Sequence, residues 1–93
     1  MFTGIVEAKE QIVEIEKKTG LNTLVVALPE ALTHDIAIGA SIAVNGTCLT
    51  VVKQRDTNVY FDVMEETLAV TNLTNLSVGS WVNIERAAKF GAE

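Results

Sequence analysis

Asn45-Gly46 sits between two runs of strand-forming residues. Ser41-Ile42-Ala43-Val44 precedes it and Thr47-Cys48-Leu49-Thr50-Val51-Val52-Lys53 follows. Both turn residues tolerate positive φ, so the dipeptide is the preferred two-residue connection of an antiparallel hairpin. A hairpin alone is marginal in water and needs further strands to cover it. The material for them is present, since 12 Val, 7 Ile and 10 Thr make up 29 of the 93 residues. Such side chains are stiff at χ1 and fit a pleated surface better than a helix.

Further strand-like runs recur at short intervals, a spacing typical of sandwiches and barrels. The first covers about 3–8 and can continue through 11–16, with Val13 and Ile15 on one face and Glu14 and Glu16 on the other. Lys17-Lys18-Thr19-Gly20 reads as a turn, and 23–28 as an apolar strand. Pro29 fits the first turn of a short helix reaching Ile36, which Gly39 stops. Arg55-Asp56-Thr57-Asn58 is a second polar turn before a strand at 59–64. A short helix is expected at 65–69, then a loop or second turn, then a last strand at 81–86. The tail at 87–93 has helical character. The reading is all-β: about six antiparallel strands with two helical plugs, closed into a barrel that removes exposed edges.

Ninety-three residues allow one domain, 1–93. With 12 acidic against 7 basic residues the net charge is −5, which disfavours nucleic acid and anionic membrane surfaces as partners. One Cys excludes an internal disulfide, and one His makes a metal cluster a poor expectation. No apolar run approaches the ~20 residues of a membrane span. The opening lacks a secretory pattern, so a cytoplasmic protein is expected.

The catalytic inventory is thin. A lone Cys48 in an apolar strand is more often a small core residue than a nucleophile. His34 reads as a surface or helix-end residue, and adjacent Glu65 and Glu66 diverge too far to act as an acid/base pair. No phosphate-cradling glycine motif is present. The small polar residues are more informative, because strand alternation puts Cys48 with Thr50, Ser41 with Ala43 and Asp62 with Met64, and Thr67 follows. Two readings stay open on pattern alone. One is a solvated polar stripe; the other is a pocket of hydroxyl and thiol groups suited to a polyol chain beside a flat ring.

Five motifs bear on that choice. They are Met1-Phe2-Thr3-Gly4-Ile5-Val6, Asn45-Gly46-Thr47-Cys48-Leu49-Thr50-Val51, Phe61-Asp62-Val63-Met64-Glu65-Glu66-Thr67-Leu68, Thr71-Asn72-Leu73 and Gly79-Ser80-Trp81-Val82-Asn83-Ile84-Glu85-Arg86-Ala87. In this order, over nearly the whole chain, they resemble the amino-terminal barrel of riboflavin synthase.

The resemblance implies a six-stranded Greek-key barrel, one of two on a chain of roughly twice this length. It implies a homotrimeric enzyme that converts two molecules of 6,7-dimethyl-8-ribityllumazine into riboflavin and a ribitylamino-pyrimidinedione. No metal or redox cofactor is required, and riboflavin is the product it would hold. Carried onto this chain, the ligand-binding residues are Gly4, Val6, Ser41, Cys48, Thr50, Asp62, Met64, Glu66 and Thr67. Cys48 and Phe2 are the catalytic candidates, with a pocket-lining role preferred for Cys48. The family's His and Ser from the second barrel have no counterpart here. An isolated half is expected to bind ligand with little turnover and to pair as a homodimer. The rivals are a non-catalytic antenna protein of luminous bacteria, which shares the fold, and a structural barrel with a filled interior and no ligand.

Overall fold

Asn45 and Gly46 adopt φ of 50° and 81°, and the strands they join pair as Val44↔Thr47 through Ser41↔Thr50. The turn therefore forms where its two residues permit it. The computed structural model describes residues 4–34 and 36–87. In chain order these form β1 (Ala8–Lys18), β2 (Leu21–Ala27), α1 (Glu30–Thr33), β3 (Ser41–Val44), β4 (Thr47–Arg55), β5 (Asn58–Met64), α2 (Glu65–Val70), a 3₁₀ turn (Asn72–Asn75) and β6 (Trp81–Arg86). The six strands close into an antiparallel barrel in the order β1-β2-β5-β4-β3-β6.

Alternation then fills the interior. Leu24 and Val26, Ile42 and Val44, Leu49 and Val51, Val59, Phe61 and Val63, and Val82 and Ile84 all belong to one buried cluster with Ile12. Leu28, Leu68 and Leu73 join it from outside the strands. Burial of these apolar surfaces is the main favourable term holding the barrel together.

Several boundaries shift by one or two residues from the sequence expectation, and three departures go further. Residues 4–7 are not a strand, and β1 begins at Ala8. Within β1 the register against β2 shifts between Ile12 and Glu14. That bulge breaks the two-residue alternation, so Ile12 and Ile15 pack on the core while Val13, expected to share Ile15's face, is 44% exposed. The first helix ends at Thr33 rather than Ile36. Beyond it the chain is already committed to β4, with Gly39 N–H donating to Val51 O and Val51 N–H to Ala40 O. The tail beyond 87 lies outside the described residues.

Candidate ligand-binding site

Apolar side chains fill the barrel interior, as the structural-barrel rival anticipated. Six strands enclose less space than the eight needed to hold even one small ligand. A flavin-sized molecule has no room inside, so the candidate site is on the outer wall.

There the hairpin aligns the small polar residues in rows. Cys48 is opposite Ala43, and Thr50 is opposite Ser41. On the other side of β3, Ala43 is opposite Glu85 of β6. The row Cys48–Ala43–Glu85 thus spans three adjacent strands, about 10 Å at ~4.8 Å per strand spacing. Cys48 is exposed, which corrects the expectation of a buried core residue. The interior positions on β4 are Leu49 and Val51, leaving Cys48 and Thr50 facing outward.

The second group lies on β5 and α2. Asp62 is held by a hydrogen bond from Thr23 Oγ1 to its Oδ1 at 2.7 Å, across the pair Thr23↔Asp62. Met64 closes β5 and is 57% exposed. Glu66 is exposed and Thr67 half-buried on the first turn of α2. The Thr67 carbonyl accepts from Thr71 Oγ1 at 2.7 Å.

Between the two groups the sheet opens. The β4–β5 ladder runs from Arg55↔Asn58 to Val51↔Phe61 and registers no further pair. Both strands nevertheless continue, β4 back to Thr47 and β5 on to Met64. Val51 directs its N–H and C=O to the β3 side, toward Ala40 and Gly39. By alternation Cys48 directs its own toward β5. Glu65 N–H donates to Gly20 O on the β2 side, so the Met64 backbone faces β4 in turn. Continued past Val51↔Phe61, the register sets Thr50 beside Asp62 and Cys48 beside Met64. Main-chain donors and acceptors on two facing strands, with small side chains above them, suit the polar edge of a planar heterocycle.

The amino-terminal segment borders this wall. Gly4 N–H donates to both carboxylate oxygens of Glu85, at 3.1 Å each. Glu7 N–H donates to Ile84 O at 2.8 Å, and the Glu7 carboxylate accepts from Arg86 N–H at 2.6 Å and from its guanidinium at 2.9 Å. Those hydrogen bonds hold the Glu7 carboxyl below the usual carboxylate range against a smaller opposing effect of desolvation. Val6 is half exposed in this segment. Phe2 lies outside the described residues. Thr23 and Glu85 went unnoticed as site elements in the sequence. Their contribution depends on partners 39 and 81 residues away, which no local pattern reveals.

A separate groove of about 390 Å³ is lined by Lys17, Lys18, Leu21, Asn22, Glu65, Leu68 and Ala69. It contains none of the site residues expected from the sequence. Among the described residues no cluster of three or more His, Cys, Asp or Glu could hold a metal. None of their helices is long and apolar enough to cross a membrane.

A family model described as the lumazine binding domain matches residues 3–87. The chain belongs to that family. It is 50% identical over all 93 residues to riboflavin synthase of Escherichia coli (strain K12), covering 44% of that protein. It is 51% identical over 87 residues to riboflavin synthase of Bacillus amyloliquefaciens, covering 94% of this chain and 40% of the relative. The chain therefore spans less than half the length of these curated relatives. Among solved structures, LumP complexed with riboflavin superposes with a TM-score of 0.90 at 32% identity, over 100% of this chain and 50% of that one. LumP complexed with 6,7-dimethyl-8-(1'-D-ribityl) lumazine gives 0.85 at 33% identity, over 100% and 51%. This lumazine-binding barrel thus has both enzymes and ligand-binding proteins among its relatives.

Proposed function

We propose that this barrel is the amino-terminal half of a riboflavin synthase and binds riboflavin or 6,7-dimethyl-8-ribityllumazine on its outer wall, one molecule per chain. The observation that carries the reading is the opening of the β4–β5 ladder beyond Val51↔Phe61, bordered by Cys48, Thr50, Asp62 and Met64. The ring would seat against the facing backbones, with the Ser41 and Thr50 hydroxyls toward the ribityl chain. The 50% identity to the synthases against 32% to LumP favours the enzyme over the antenna reading.

In the whole enzyme a second barrel would present another lumazine, face to face with the one held here. Proximity and alignment are the principal contribution, up to about 7–11 kcal/mol for ideal geometry. Cys48 lines the site and helps orient the ring, and Phe2 is the second catalytic candidate. The two products together contain the atoms of the two substrates, so no cofactor has to be supplied. The isolated half binds without appreciable turnover. Exposed Ile5, Val6 and Met64 beside the site support pairing with a second copy. A cytoplasmic location accompanies the reading.

Riboflavin fluorescence tests it. Saturable quenching at micromolar riboflavin, displaced by the lumazine, is the expected result; no change at that concentration contradicts it. Assay of the corresponding two-barrel protein separates enzyme from antenna, since only the former forms riboflavin from lumazine.

A further inference from the structure

We infer that Glu85 is a positioning residue for the ligand site, its carboxylate fixing the amino-terminal segment against the wall formed by Ser41, Ala43 and Cys48. The inference rests on the reading of that wall as the flavin- or lumazine-binding face. Val82 and Ile84 of β6 belong to the interior cluster, whereas Glu85 is outside it yet only 8% exposed. A carboxylate so withdrawn from water is costly unless hydrogen-bonded. Here both its oxygens accept from Gly4 N–H. Gly4 adopts φ of +82° to present that amide, a conformation that residues with a Cβ rarely take.

The location gives the contact its consequence. Ala43, itself buried, separates Glu85 from Cys48 in the cross-strand row. Residues 4–7 are not a strand, and Glu7 N–H donates to Ile84 O of β6. Two carboxylates hold the segment at its ends, Glu85 on the Gly4 amide and Glu7 on Arg86.

Glu85→Gln and Glu85→Ala test this in the 93-residue chain. Riboflavin and lumazine dissociation constants come from fluorescence, the fold from circular dichroism, and the anchor from Gly4 amide hydrogen exchange. Glu85→Gln is expected to weaken both ligands ~10-fold and speed Gly4 exchange while the barrel keeps its far-ultraviolet spectrum, because a charged acceptor bonds about twice as strongly as a neutral one. Unchanged affinity or unchanged Gly4 exchange in Glu85→Gln would overturn the inference. Should Glu85→Ala fail to fold, Glu85→Gln decides. Failure of the unaltered chain to bind either ligand overturns the binding-face reading itself and removes the role with it, while Gly4 exchange still reports whether the anchor exists.

Discussion

Asn45 combines a left-handed φ of 50° with a side-chain oxygen that accepts from Asn83 N–H at 2.8 Å, while its own N–H donates to Asn83 O at 2.9 Å. The turn role was legible from the Asn-Gly pair. The docking onto β6 was not, because Asn83 is 38 residues away. Asn45→Gly preserves the turn and loses the acceptor, so it should cost about 1 kcal/mol in urea unfolding. Cys48 teaches the converse lesson. Flanking Thr and Leu made it look like core, but only the register of β4 decides which parity faces in, and it turns Cys48 outward. Iodoacetamide should therefore alkylate Cys48 in the native chain, and saturating riboflavin should slow the reaction severalfold. Equal rates with and without riboflavin would place the ligand elsewhere. Thr50→Val, which removes a hydroxyl while keeping the shape, should weaken riboflavin ~3- to 10-fold, roughly one hydrogen bond's worth.

At the scale of elements, β3, the turn at Asn45-Gly46 and β6 fall where the sequence places them. Their turn residues and alternation are complete within a few positions. The elements that depart from expectation are governed by distant partners. β1 bulges against β2 at Ile12/Glu14, and beyond α1 residues 39–40 bond to β4. The segment before β1 is held by side chains, and that makes it acid-sensitive. Glu7 has its folded-state pKa lowered by Arg86. Its contribution is therefore complete above the usual 4.5 of the unfolded chain and is lost as pH falls through the lowered value. The pair is about 30% exposed on each side, so the loss is at most ~1 kcal/mol. Arg86→Ala should flatten this part of the acid-unfolding profile below pH 4.5. An unaltered slope would show that the pair contributes nothing.

At the scale of the molecule, the six strands close into a barrel whose interior is filled by apolar side chains, with the β4–β5 ladder ending at Val51↔Phe61. Phe61, fully buried at the centre of β5, should cost about 3–5 kcal/mol when changed to Ala. Light scattering should show a dimer, as the exposed Ile5, Val6 and Met64 favour, and a monomer at every concentration would remove self-association from the account. The wall's outward residues could be paired by alternation from the sequence, but the gap between them could not. It arises because two long strands stop pairing before they end, a property of register rather than of any residue.

That gap is the central claim, and mapping backbone amide shifts during riboflavin addition tests it most directly. Perturbations concentrated at 48–50 and 62–67, with smaller ones at 4–6 and 41–43 and one ligand per chain, are the predicted result. Shifts confined to Lys17, Lys18, Asn22 and Ala69, which line the separate groove, or none at all, would contradict it.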